Sequence, residues 1–399
     1  MHLTHLELHQ FRSYAHLDLA IDPVGLRLFG DNASGKSTVL EAIMLLASTK
    51  SPRSSAEREM VRWGSGEEYG VPPFARVVGQ VDRLDGPVAV EIALAADPER
   101  LTTVRKTIKV NGRPARATDT VGRLKAVLFS PEDVALISGS PSGRRRYLDL
   151  MISQLSGEYL QALSRYLRVV EQRNSLLKSL QRDGVAPNSA LASGQLAFWD
   201  EQFLALGSLV MAYREATIRK LGRGTAEKYH LLTGEEQFRL SYLPSIDTSL
   251  GSDPDISQEI PELQMRLHRA LQAEVAARRV EEVRRGVSVV GPHRDDLGFL
   301  LGEVDIGTFG SRGQQRLAVV ALKLAECSHM ADLSGEPPLL LLDDVLSELD
   351  ARHRSLLEVE LDRLRPQMFV TGTHADEWSG SIVERLPVAR VVAGTITSA

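Results

Sequence analysis

Nine consecutive residues, Gly30-Asp31-Asn32-Ala33-Ser34-Gly35-Lys36-Ser37-Thr38, fit G-x-x-x-x-G-K-[ST], a phosphate-binding loop. Glycines let the backbone wrap closely round phosphate oxygens without Cβ clashes. Successive N–H groups and a following helix N-terminus supply positive potential. Lys36 is expected to reach the β- and γ-phosphates, and the Ser37 hydroxyl to ligate Mg²⁺. Gly30, Asn32, Gly35 and Thr38 complete the expected nucleotide-binding set. About 300 residues later, Leu339-Leu340-Leu341-Leu342 ends in Asp343-Asp344. A carboxylate at the end of an apolar strand is the expected partner of Ser37 on the metal, so the metal set is Ser37 and Asp343. The plain alternative is two solvated carboxylates at a strand end.

The surrounding pattern positions these residues. Gly25–Phe29 reads as a short buried strand leading into the loop, and Thr38–Ala47 as a helix leaving it. Leu3–Leu8 alternates apolar and polar, as a half-buried strand does, and a second short strand falls around Leu17–Ile21. Strand-like runs follow at Ala75–Val81, Val88–Leu94 and Thr103–Val110, the last ended by the hairpin signal Asn111-Gly112. They predict an antiparallel sheet beside the nucleotide site. Leu124–Phe129 reads as a further buried strand.

From Ser142 one long helix is expected. Its apolar stripe is Ile152, Leu155, Tyr159, Ala162, Tyr166, Val169, Leu176 and Leu180, a heptad seam of about four heptads with Arg173 as its one break. After a turn at Gly184–Ser193 the helical pattern resumes from Gln195 to Leu231, predicting an antiparallel hairpin. Another helix is expected over Glu262–Arg285, then strands at Val287–Val290 and Leu297–Val304. The expected organisation is α/β: residues 1–141 as the first part of a nucleotide-binding domain, 142–285 as a helical insertion, and 286–399 as its second part.

Composition bounds the partners. The chain has 399 residues, 43% hydrophobic and 25% charged, which is ordinary for a folded protein. A net charge of −5 gives no global signal for nucleic acid, so any such surface must be a local patch. Candidates are Arg144, Arg145 and Arg146, then Arg278, Arg279, Arg284 and Arg285, with Arg53, Arg58 and Arg62. Arg144–Arg146 opens a helix, where the macrodipole disfavours cations, so acidic neighbours or a partner anion are expected there. The single cysteine, Cys327, excludes an internal disulfide and a cysteine-based zinc cluster and is expected to be a buried filler. The start of the chain shows no signal peptide, and the apolar runs are far below the ~20 residues of a membrane span, so a cytoplasmic place away from membranes is expected.

Ser311-x-Gly313-Gln314-Gln315, ahead of the Asp343 strand, resembles the signature of ABC ATPases: a Ser cap, a Gly for close approach and a helix dipole aimed at an anion. Ser347-Glu348-Leu349-Asp350 looks like a D-loop, and His374 like a switch histidine. With Leu6–Tyr14, Phe129–Asp133, Gly139–Asp149 and Gly291–Leu297, these motifs resemble the RecF family of bacterial recombination ATPases across almost the whole chain. The resemblance implies an ABC-type, SMC-like ATPase head without long coiled-coil arms. It implies an ATP-dependent homodimer in which Ser311, Gly313 and Gln314 face the nucleotide of the other subunit, joined by Asp350. It also implies binding to single-stranded, double-stranded and gapped DNA, weak DNA-stimulated ATP hydrolysis, nucleoid association, and help in loading RecA with RecR and RecO.

In this scheme Lys36, Asp343, Asp344 and His374 do the chemistry. Asp344 stands where such ATPases carry a glutamate, so slow turnover is expected. No Q-loop glutamine is evident; Phe129–Asp133 is its expected region. Two other readings share the nucleotide motifs: a transporter-type motor subunit, which leaves the helical insertion and Gly291–Leu297 unexplained, and a nucleotide-binding scaffold without useful hydrolysis.

Overall fold

The alternating run near the start is a strand, β1 (His2–Phe11), with Leu3, Leu6 and Leu8 buried. The structure, a computed structural model, describes residues 1–54, 56–97, 104–248, 259–345, 350–373 and 382–398. β2 (Tyr14–Ala20) returns antiparallel to β1, and β3 (Gly25–Phe29) leads into the glycine-rich loop and α1 (Lys36–Ser48). Then come β4 (Phe74–Asp82), β5 (Val88–Ala96), β6 (Val104–Val110), β7 (Arg113–Pro114), the one-turn α2 (Ala117–Thr120) and β8 (Ala126–Phe129). Six of these strands make the expected antiparallel sheet, in the order β2-β1-β4-β5-β6-β7, and Asn111, at φ 50, turns β6 into β7.

α3 (Ala135–Ser138), α4 (Pro141–Leu155), α5 (Gly157–Arg182) and α6 (Ala190–Thr233) follow. The single long helix expected from Ser142 is two. Ser156 leaves helical geometry at φ −135°, ψ 111°, and its side chain accepts a hydrogen bond from the Tyr159 N–H to cap α5. Next come β9 (Phe238–Leu243), α7 (Ile260–Arg285), β10 (Asp296–Leu301), β11 (Val304–Asp305), α8 (Ile306–Phe309) and α9 (Arg312–Ser334). β9 has no counterpart in the sequence reading. It pairs with β10 in a three-stranded sheet, order β11-β10-β9, and the strand expected over Leu297–Val304 is the β10–β11 hairpin. Val287–Val290 is not a strand. Side chains satisfy its backbone: Ser288 N donates to Asn174 Oδ1 at 2.7 Å and Val289 N to Glu282 Oε1 at 3.3 Å.

The chain closes with β12 (Leu339–Asp343), α10 (Ala351–Leu364), β13 (Met368–Gly372), β14 (Val388–Val392) and β15 (Thr395–Ser398). These build a second six-stranded sheet, order β15-β14-β3-β13-β12-β8, parallel except for the β14–β15 hairpin. Cys327 is a buried free thiol in α9, as expected.

Two compact units result: Met1–Asp133 with Lys323–Ala399, and Val134–Leu322. These boundaries differ from the sequence cuts at 141 and 285. Past 285 the difference follows from β10, whose hydrogen bonds to β9 tie residues after 285 to the helical unit. The first unit's core joins the faces of its sheets with α1, through residues such as Leu6, Val39, Leu46, Val90, Leu341 and Phe369.

Candidate functional site

Register builds the site. Asp343 of β12 stands opposite Thr371 of β13, and Thr371 stands opposite Leu28 of β3. The carboxyl ends of three parallel strands therefore come level with the loop that begins at Gly30, which is where ligands bind in open α/β sheets. Ser37 Oγ donates to Asp343 Oδ1 at 2.6 Å, and Thr371 Oγ1 donates to the same oxygen at 2.8 Å. Thr371 Oγ1 also accepts from the Asp344 N–H at 3.0 Å, and Asp344 takes a left-handed φ of 55°.

The loop is held open for close approach. Gly30 has φ 152°, and a Cβ there would lie 2.3 Å from the Val391 carbonyl oxygen. At Gly35, φ 114°, a Cβ would come within 2.9 Å of Ser13 Oγ. The Tyr14 hydroxyl donates to the Gly35 carbonyl at 3.1 Å, and burial pushes that phenol up from its ordinary range. Gly394 N donates to the Ser34 carbonyl at 3.0 Å, so the β14–β15 turn buttresses the loop. Lys36 Nζ bridges the carbonyls of Gly30 (2.6 Å) and Asp31 (2.9 Å). Ser34 Oγ is a buried hydroxyl with no hydrogen-bond partner among the described residues. An orphaned donor, glycine walls and a helix N-terminus fit a phosphate, while the Ser37 hydroxyl and the Asp343 carboxylate are hard oxygen donors that fit Mg²⁺.

A cleft of about 520 Å³ gathers these groups. Asn32, Gly35, Lys36, Ser37, Thr38, Asp343 and Asp344 line it, as the sequence predicts. So do Arg12, Arg53, Glu59, Trp63 and Thr371, to which sequence reasoning gave no part in the nucleotide site. Arg53 Nη2 meets Asp343 Oδ2 at 2.7 Å. Arg12 forms two hydrogen bonds with the buried Glu41 of α1, at 3.0 and 2.8 Å, fixing the end of β1 to the loop helix. The signal for Arg12 was its place in Phe11-Arg12-Ser13-Tyr14; a lone arginine such as Arg53 carries none.

The signature segment lies in the second unit. Ser311 N donates to Gln314 Oε1 at 2.9 Å, and Gln314 N donates back to Ser311 Oγ at 3.2 Å, a reciprocal capping box at the start of α9. Ser311 and Gly313 are exposed there. Asp350 caps α10, accepting from His353 N at 2.9 Å, and is not among the residues lining the cleft. Residues 346–349, most of the expected D-loop, and His374 lie outside the described residues. In the expected Q-loop region, Asp133 Oδ2 accepts from Ser130 N at 2.7 Å and burial pushes its carboxyl up.

Most arginines singled out for nucleic acid are engaged within the fold. Arg144 grips Asp296 through Nε and Nη2 at 2.6 and 2.7 Å, so the cation at the helix start has its acidic neighbour. Arg145 donates to the Asp295 carbonyl at 2.7 Å. Arg279 pairs with Asp200, and Arg278 and Arg285 both pair with Glu281.

Residues 2–394 match the family profile described as the RecF/RecN/SMC N terminal domain. The chain is 42% identical to the DNA replication and repair protein RecF of Thermomicrobium roseum over 394 residues, 98% of each chain. It belongs to the RecF family. The RecF of Chloroflexus aurantiacus is 39% identical over 99% of each chain. Among solved structures, the recombination mediator protein RecF-ATPrS in the RecFOR pathway superposes with a TM-score of 0.82 at 28% identity, over 100% of this chain and 98% of that one. An Smc head domain from Pyrococcus furiosus, at 16% identity and TM-score 0.52, shares the fold. The fold is thus an ABC-type ATPase head, with a mixed sheet around the phosphate loop, an antiparallel β-sheet and an inserted, mainly helical region. No described helix is long and apolar enough to cross a membrane.

Proposed function

We propose that this protein is an ATP-switched DNA clamp of recombinational repair. The observation that carries the reading is the 2.6 Å contact between Ser37 Oγ and Asp343 Oδ1, which joins loop and strand-end carboxylate across 306 positions of sequence. Lys36 and the loop N–H groups bind the triphosphate. Ser37 and Asp343 hold Mg²⁺, which when bound neutralises charge on the phosphates. Thr371 holds Asp343 in place, and Asp344 and His374 position water and sense the γ-phosphate. Ser311, Gly313 and Gln314 of a second copy, with Asp350, complete the site. ATP closes the homodimer on DNA, and slow, DNA-stimulated hydrolysis opens it. The relatives' names support replication and repair as the setting, and the RecFOR pathway named for a solved relative supports RecO and RecR as partners; RecA loading at single-strand gaps is the outcome proposed here. The proposed place of work is the nucleoid, in the cytoplasm.

Light scattering with and without ATP and Mg²⁺, alone and with gapped duplex DNA, tests the clamp. The expected result is a monomer-to-dimer shift that DNA strengthens. Lys36→Met should abolish ATP binding. Ser311→Arg should bind ATP and stay monomeric; a Ser311→Arg protein that dimerises normally removes the signature from the second copy's site. The shorter carboxylate of Asp344, in a left-handed backbone, favours a second reading without useful hydrolysis, and single-turnover hydrolysis separates the two.

A further inference from the structure

The cleft is lined by two kinds of group. The loop, Lys36, Ser37 and Asp343 suit phosphates and a metal. Arg12, Glu59, Val61 and Trp63 also line it. Trp63 is the unusual member, with 94% of its surface exposed. A tryptophan left in water forgoes the burial of a large apolar surface, and among the described residues it is the most exposed of the large hydrophobics.

Its exposure does not come from a loose backbone. Glu57–Met60 forms a 3-10 turn, and Val61 makes a bridge to Phe11 at the end of β1. Arg12 N donates to the Met60 carbonyl and Arg62 N to the Gln10 carbonyl, both at 2.9 Å. Ser65 N then donates to the Arg62 carbonyl at 3.1 Å. Trp63 sits between these anchors, one residue past Arg62. The chain holds an indole in the open at a fixed point in the lining of a cleft whose loop suits a triphosphate. A flat π-face presented this way has a partner in a flat heteroaromatic ring.

We propose that Trp63 stacks on the base of the bound nucleotide and so positions it in the cleft. This rests on the nucleotide reading of the cleft given above. Stacking of a base on an aromatic side chain is sequence-tolerant and lost on truncation to alanine. The residue acts on affinity for a base-bearing ligand and leaves the phosphate subsite untouched.

Calorimetric titration of the full chain with Mg·ATP and with Mg·tripolyphosphate, which has the phosphates and no base, tests it. Trp63→Ala should weaken ATP by about tenfold and leave tripolyphosphate unchanged. Trp63→Tyr, which keeps a π-face, should restore most of the ATP affinity. Unchanged ATP affinity in Trp63→Ala would overturn the stacking role. So would an equal loss of both ligands, which would make Trp63 a support of the whole cleft. A wild-type protein that binds neither ligand would instead bring down the nucleotide reading itself, and the stacking with it.

Discussion

Asp343 is the most contested residue of the site. One oxygen accepts from Ser37 and Thr371, and the other meets the Arg53 guanidinium at 2.7 Å. A cation on that carboxylate competes with any metal that needs it, since both draw on the same negative charge. Arg53→Ala should therefore lower the magnesium concentration needed for half-maximal nucleotide binding by severalfold. Magnesium titrations at fixed ATP analogue check this, and an unchanged or raised requirement would show that Arg53 does not compete. Arg53 is 39% exposed at its side chain, so it can leave Asp343 without crossing a packed interior.

At the scale of elements, α5 carries the residue that breaks the expected apolar seam. Arg173, the one break in the apolar seam, is fully buried. Its guanidinium meets Glu282 of α7 through Nη1 and Nη2 at 3.0 and 2.6 Å, Asp200 of α6 through Nε at 2.9 Å and Ser288 Oγ at 2.7 Å. It also lies 4.8 Å above the Phe203 ring. One side chain thus ties three helices and the segment after α7 together. Arg173→Ala leaves Glu282 buried without its charge partner and should cost about 3–5 kcal/mol. Replacing both, Arg173→Met with Glu282→Leu, should cost much less, because no lone charge remains. Urea unfolding of both variants decides; an equal loss in both would mean that packing volume, not charge, holds the helices.

For the whole molecule, the two units differ in what their buried polar groups do. In the first unit, Ser34, Lys36, Asp343 and Thr371 line the cleft. In the second, His293 is half-buried, with Nε2 donating to the Ser288 carbonyl at 3.2 Å and Nδ1 accepting from the Tyr166 hydroxyl at 2.7 Å. That pattern needs the neutral ring, and burial pulls its pKa from 6.5 down to about 4. The unfolded chain then binds more protons than the folded one between those values. The stabilisation is complete above pH 6.5 and is lost as pH falls toward 4, by about 2 kcal/mol at pH 5. His293→Gln keeps a donor and an acceptor without the proton equilibrium, so it should lose less stability than wild type from pH 7 to pH 5. Parallel unfolding midpoints for the two proteins would refute the assignment.

The family and the nucleotide loop were legible because local rules decide them. A phosphate loop needs its glycines, Lys36 and Ser37 close together in sequence, and long strands and helices such as β1 and α6 show their periods locally. The apolar run before Asp343 was visible for the same reason. What needed the folded chain was everything set by partners distant in sequence. Thr371 joins the site only through the register of β12 with β13, and the β14–β15 turn reaches the loop only through the sheet order. Arg53 and Trp63 carry no motif and gain meaning from where α1 and β1 hold the following segment. At Arg144 the sequence left acidic neighbours or a partner anion open, and only the fold brings up Asp296, 152 positions away. Spacing along a chain fixes which side chains share a face of one element; which charges meet across elements is decided by packing, and only the tertiary structure contains it.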